Sequence, residues 1–265
     1  MTFHAPAALT SKTPKPGSIA LVGAGPGAAD LLTYRAVERM RSADVIFYDR
    51  LVTPEVLAMA GPRARRVFVG KEVGAHSWPQ ARINAAITAA ALRGLQVVRL
   101  KSGDPSVFGR ACEEIAAARA LNIPVEIIPG ITAASAASAH LCQPLTQRGI
   151  TDRLVMATAT CRPGDTWSGL ADLAKPGTML AIYMGVARAG EIVASLRQAG
   201  LADDTPVTVA ANVSTPKERV AQMTVGTLRA GIAQAGITNP AIIFVAVPKH
   251  VIALDPVPAP AHGAF

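Results

Sequence analysis

Two glycine-bearing turns and one carboxylate stand at spacings where they could do chemistry. The run Gln96 to Leu100 continues through Lys101 into Ser102-Gly103-Asp104-Pro105, a β-branched apolar stretch stopped by turn residues. At the carboxyl end of a strand in an open α/β sheet, such a glycine lets backbone N–H and C=O groups face a ligand; an ordinary strand-to-helix connection has the same composition. Asp49 closes another apolar run, residues 44–48. It is placed either as a carboxylate presented to a cleft or as the former of a strand-end turn. The third stretch, Val22-Gly23-Ala24-Gly25-Pro26-Gly27-Ala28, matches G-x-G-x-x-A after a strand, with Asp49 about 20 residues on. Pro26 argues against a dinucleotide there, because proline removes a backbone N–H from the loop that would hold a pyrophosphate. The next helix signal, Thr33, also comes several residues too late.

The elements that must position these residues follow from hydrophobic period and punctuation. Strands are expected at 18–22, 44–48, 66–69, 96–100 and 125–128, and helices at 34–42 (capped by Thr33), 54–60, 80–92 (opened by Ser77 or a neighbour), 111–121 and 132–140. This alternation predicts a parallel, helix-covered sheet. Beyond the connector 144–148 the rhythm changes, with strands at 154–159, 178–184, 207–211 and 241–247, a further edge strand at 222–225, and helices near 187–199 and 227–235. The prediction is two α/β domains, 17–130 and 131–250, with proline-bearing flexible tails at 1–16 and 251–265.

Composition narrows the function classes. Lysine and arginine number 26 against 18 acidic residues, a net charge of +8, but aromatics make up only 4% of the chain and no long basic run occurs. A nucleic-acid surface would cluster its cations and offer stacking rings, so none is expected. A polyanionic small molecule or a merely basic surface accounts for the excess equally well. Cys112, Cys142 and Cys161 are odd in number and widely spaced, and the five histidines never pair at ligand spacing, so neither disulfides nor a metal is expected. Without a signal sequence or an apolar run near the roughly 20 residues of a membrane span, a cytoplasmic protein is the expectation.

Taken together, several stretches closely resemble the tetrapyrrole methylases across residues 17–250. They are Val22 to Gly27, Tyr48-Asp49-Arg50-Leu51-Val52, Val69-Gly70-Lys71, His76-Ser77 with Gln80 and Asn84, Arg99 to Arg110, Pro129-Gly130-Ile131-Thr132, Pro144-Leu145-Thr146 and Tyr183-Met184-Gly185. Tyr48 to Val52 and Val107-Phe108-Gly109-Arg110 favour the members that methylate uroporphyrinogen III over those acting on later precorrins.

The resemblance implies an active site in the cleft between the two domains, with S-adenosyl-L-methionine as methyl donor and S-adenosyl-L-homocysteine as product. It implies cofactor contacts from Pro26, Ser102, Gly103, Asp104, Val107, Thr132, Ala133, Met184 and Val213. It also implies proton transfer by Asp49 and Lys71, with Arg110 as substrate orienter or proton acceptor, and a homodimer. The substrate it implies bears eight carboxylates, for which Arg50, Arg110, Arg148 and Arg153 are candidate clamps. Four departures stand out: Ser102 and Val213 replace family glycines, Gln147 replaces a histidine, and Ala159-Thr160 stands where Gly-His is usual. Valine would be strained if position 213 needs a positive φ. With about sixteen residues ahead of the first strand, no fused dehydrogenase or chelatase domain is expected.

Overall fold

A computed structural model describes residues 16–70, 78–161 and 167–249. The first half alternates strand and helix: β1 (Ser18–Gly23), α1 (Tyr34–Ser42), β2 (Val45–Tyr48), α2 (Pro54–Ala58), β3 (Arg65–Phe68), α3 (Gln80–Leu92), β4 (Gln96–Lys101), α4 (Ala111–Ala120) and β5 (Val125–Ile128). All five strands pair in parallel in the order β3-β2-β4-β1-β5. Successive residues of a strand point to opposite faces, and here both faces are buried. Ile19, Leu21 and Val97 pack with Ile83, Ile87 and Ala118 of α3 and α4. Ala20, Val22, Val98 and Leu100 pack with Ala36, Met40 and Val56 of α1 and α2. Each fully buried Ile or Leu contributes about 1.5–3 kcal/mol by leaving water.

The helix starts follow local chemistry. Thr33 accepts the Ala36 N–H at 3.2 Å and Thr53 the Val56 N–H at 3.3 Å, so each hydroxyl satisfies one of the first-turn donors that lack a partner within the helix. α3 starts directly after Pro79, with no side-chain cap. Ser77, the expected cap, lies outside the described residues.

The second half comprises α5 (Ala133–His140), β6 (Arg153–Thr158), β7 (Thr178–Tyr183), α6 (Ala189–Gln198), β8 (Pro206–Ala211), β9 (Arg219–Thr224), α7 (Leu228–Gln234) and β10 (Ala241–Val247). Its sheet has the order β6-β7-β10-β8-β9, parallel only between β6 and β7. The edge strand expected at 222–225 is β9, reaching back to Arg219. One face carries α6 and α7, and the other receives Ala134, Ala136 and Ala137 of α5, whose small side chains bring that helix close to Ala181 and Ala210. The tails expected at either end lie almost wholly outside the described residues.

Candidate active site

The loops after β1, β4 and β5 meet backbone to backbone. A Cβ on Gly23 would lie 2.5 Å from Gly130 Cα, and one on Gly130 would lie 2.2 Å from the Gly103 carbonyl oxygen. No larger residue allows that approach. Gly25 and Gly103 form a short antiparallel bridge: the Gly103 N–H donates to Gly25 O at 2.7 Å and the Gly25 N–H returns to Gly103 O at 3.2 Å. Asp104 locks the cluster, since one carboxylate oxygen accepts the Ser106 N–H at 2.7 Å and the other the Gly130 N–H at 3.0 Å. Thr53 ties in the first loop by donating to Gly27 O at 2.7 Å.

The second sheet closes the site from the other side. The Tyr183 hydroxyl, at the end of β7, lies 2.6 Å from the Thr132 hydroxyl and accepts the Ala134 N–H at 3.2 Å. α5 therefore receives its N-terminal cap from the facing sheet, Thr132 making no cap bond of its own. Met184 follows in the left-handed region (φ 54°), as do Asn212 (51°) and Ser214 (60°) after β8. Such a conformation is uncommon for residues with a side chain and is sustained only by surrounding structure.

Between the two sheets lies a cavity of about 470 Å³. All nine residues proposed for cofactor contact line it: Pro26, Ser102, Gly103, Asp104, Val107, Thr132, Ala133, Met184 and Val213. Arg50 lines it as well, and Arg50 and Asp104 are the only charged residues among its described lining. Val213 escapes the strain anticipated for it, because the positive φ angles fall on its neighbours Asn212 and Ser214. Ser102 is spared likewise, as the left-handed residue in its loop is Gly103 (φ 69°). Sequence reasoning missed Phe108, Tyr183 and Asn212 as lining residues. The Phe108 and Tyr183 rings stand 5.0 Å apart. Phe108 and Tyr183 fall inside stretches that carry the resemblance, with no contact assigned to them, and what makes them neighbours is the approach of one sheet to the other.

Asp49 stands at the rim in that it directly precedes the lining residues Arg50 and Leu51; it is not itself part of the described lining. One carboxylate oxygen accepts the Leu51 N–H at 3.1 Å, the turn-forming role, while the other faces Arg99 Nη2 at 3.5 Å. Behind it lies a buried ionic chain that the sequence reading did not single out. Glu114, with no exposed surface, bonds Arg99 Nε at 3.1 Å and Lys101 Nζ at 2.9 Å. Burial, and then the Arg99 charge, pull the Lys101 ammonium below its ordinary 10.5. A signal was present: Arg99 and Lys101 are charges spaced by two in a run otherwise fit for a buried strand.

The other arginines lie elsewhere. Arg110 caps α4 in the left-handed region (φ 56°) and makes a forked pair with Glu113, both bonds at 2.8 Å, which holds its guanidinium above its ordinary range. Arg148 is exposed at the tip of the Gln147–Thr151 turn. Arg153 starts β6, at the far end of that strand from the cavity, and donates to the Pro176 carbonyl. The structure therefore brings neither Arg148 nor Arg153 to the cavity lining. Lys71 lies outside the described residues.

Two α/β halves that enclose a largely uncharged cavity between glycine-zipped loops define a ligand-binding protein of a two-domain α/β class. The chain belongs to the tetrapyrrole (corrin/porphyrin) methylases, whose family profile matches residues 18–229. It is 41% identical over 243 residues to the uroporphyrinogen-III C-methyltransferase of Paracoccus denitrificans, covering 90% of this chain and 82% of that one. It is 43% identical over 212 residues to the siroheme synthase of Zymomonas mobilis, covering 80% of this chain and 45% of the synthase. The chain thus spans about half the length of the siroheme synthases it matches. Among solved structures it resembles a cobalt precorrin-4 methyltransferase (TM-score 0.78, 28% identity, 86% of this chain and 94% of that one). It also resembles a Thermus thermophilus uroporphyrin-III C-methyltransferase complexed with S-adenosyl homocysteine (TM-score 0.74, 34% identity, 87% and 97%).

Proposed function

We propose that this chain is an S-adenosyl-L-methionine-dependent C-methyltransferase that methylates uroporphyrinogen III twice, giving precorrin-2. The observation that carries the reading is the convergence of nine residues, spread from Pro26 to Val213, on one interdomain cavity. The residues fit a phosphate-free, adenosyl-bearing molecule. The cavity holds a single cation among its described lining, Pro26 offers no N–H, and both Asp104 oxygens are already engaged by backbone donors. Loop carbonyls and N–H groups, with the Met184 side chain, supply the polar and soft apolar contacts such a molecule needs.

When bound, S-adenosyl-L-methionine supplies an electrophilic methyl group to a pyrrole carbon. The chain's own work is to hold the macrocycle against that methyl and to handle the proton the ring must then lose. Asp49 accepts that proton in this reading, and Lys71 is its partner in proton transfer. Arg50, which lines the cavity, and Arg110 on its loop orient the carboxylates. An arginine base is disfavoured by its high pKa, so orientation ranks first for Arg110.

Incubating the protein with uroporphyrinogen III and S-adenosyl-L-methionine should yield the doubly methylated product, and calorimetry should show saturable S-adenosyl-L-homocysteine binding with no response to NAD. The likeness to the cobalt precorrin-4 enzyme supports a second reading, a methylase of a later precorrin on the same fold. No product from uroporphyrinogen III alongside turnover of a later precorrin would select it.

A homodimer and a cytoplasmic location complete the proposal. Tyr34, Leu92, Leu121 and Ile127 leave apolar surface that a second copy can cover. The three free cysteines suit a reducing compartment. Light scattering should give twice the 27.3 kDa chain mass, and the chain mass itself would refute the dimer.

A further inference from the structure

We propose that Glu114 is a positioning residue, a buried carboxylate that holds Arg99 so that its guanidinium fixes the Asp49 carboxylate at the cleft rim. The inference rests on the reading of Asp49 as proton acceptor given above. Four charges of alternating sign are linked by direct contacts in the order Asp49, Arg99, Glu114, Lys101. Their side chains are 29%, 6%, 0% and 6% exposed, so only the Asp49 end meets solvent.

The hydrogen bonds leave the guanidinium little freedom. Its Nε donates to Glu114 Oε1 at 3.1 Å, and its Nη1 to the carbonyls of Leu100 at 2.8 Å and Phe47 at 3.4 Å. The remaining nitrogen, Nη2, points at Asp49 Oδ2. Glu114 is itself held, since Lys101 Nζ bonds its Oε2 at 2.9 Å and Gln80 Nε2 its Oε1 at 3.2 Å. Asn84 steadies Gln80 at 2.9 Å and donates to the Glu113 carbonyl at 3.3 Å, so α3 and α4 both brace the chain. On the other side, the Leu51 N–H pins Asp49 Oδ1. With each oxygen facing one fixed donor, the carboxylate has a defined orientation.

Folding alone gives little reason for such a chain. Fully burying a carboxylate and two cations carries a large desolvation cost, and apolar side chains of similar volume commonly serve stability as well or better. The face on which it lies is otherwise Ile19, Leu21, Val97, Ile83 and Ile87, so an apolar solution was at hand. What an apolar solution cannot do is hold a carboxylate in one orientation at the sheet's carboxyl edge. A small displacement of a proton acceptor from its reacting carbon costs up to about 100-fold in rate.

The test is a double-mutant cycle on turnover of uroporphyrinogen III with the full chain. Glu114→Gln keeps size and removes the charge. Alone it should lower kcat roughly 10- to 100-fold, with affinity for S-adenosyl-L-homocysteine within about twofold of wild type. In an Asp49→Asn background the same substitution should cost less than about threefold, because the residue it acts through is already disabled. Losses that multiply in the double variant would overturn the inference, since a merely structural residue acts independently of Asp49.

If Glu114→Gln does not fold, Arg99→Lys takes its place. It keeps the charge but lacks the fork, and it should show the same split between kcat and cofactor affinity; wild-type turnover would overturn the inference. An inactive wild type would instead reject the proposed activity. The inference would then be decided by a crystal structure of Glu114→Gln, where loss of the Arg99–Asp49 contact supports it and an unchanged contact overturns it.

Discussion

Asp49 performs a turn role and a rim role with different oxygens, and one substitution separates them. In Asp49→Asn the amide oxygen can still accept the Leu51 N–H, so the turn survives. The amide cannot accept a proton and cannot pair ionically with Arg99. The expected outcome is a rate loss of roughly 10²- to 10⁴-fold with cofactor affinity and melting temperature little changed. Turnover within about threefold of wild type would fall well short of that range and remove Asp49 as the base. The same scale accounts for the tolerated departures at 102 and 213. A backbone contact accepts serine or valine wherever φ stays negative, and here the left-handed positions are Gly103, Asn212 and Ser214.

The elements that matter most are loops held at the carboxyl ends of β1, β4 and β5. Their glycines differ in kind, which gives a graded prediction. Gly130 has no positive φ, so Gly130→Ala is opposed by contact alone, its Cβ falling 2.2 Å from Gly103 O and 2.8 Å from Gly23 Cα. Backbone must then shift, at a cost of about 1–3 kcal/mol. Because the displaced segment is the Gly25–Gly103 bridge, affinity for S-adenosyl-L-homocysteine should fall as well. Gly200→Ala is the control: its φ of 87° strains any side chain, but nothing lies within 4 Å and no cavity residue is near in sequence. It should cost about 1 kcal/mol of stability and leave affinity alone. Urea unfolding and calorimetry on the two variants check both halves of the expectation.

At the scale of the whole molecule, the cavity lies between two sheets, and Tyr183 ties the segment that leaves the first sheet onto the second. Its hydroxyl engages Thr132 and the Ala134 N–H, both on the segment that follows the first sheet. Tyr183→Phe keeps the ring contact with Phe108 but leaves the Ala134 N–H without its acceptor. A loss of roughly 1–3 kcal/mol in unfolding free energy is expected. Weaker S-adenosyl-L-homocysteine binding should accompany it, since Thr132 and Ala133 line the cavity. Unchanged binding despite lower stability would show that this tie does not shape the site.

The sequence by itself determined the elements. Continuous apolar runs, the cap Thr33, and the breaks at Gly103 and Pro129-Gly130 are local signals, and the physics behind them acts over a few residues. It also carried the family resemblance, which pointed to residues that line one cavity although they lie almost 190 positions apart. Tertiary structure alone decided the rest. Strand order β3-β2-β4-β1-β5 and the single parallel pair of the second sheet depend on which long-range pairings bury most surface, and no local pattern encodes that. The same holds for the separation of Arg153 from the cavity, the capping of α5 by Tyr183, and the burial of Glu114 between two cations. In each of these a side chain's role depends on what a distant part of the chain places beside it, and its neighbours in sequence do not supply that information.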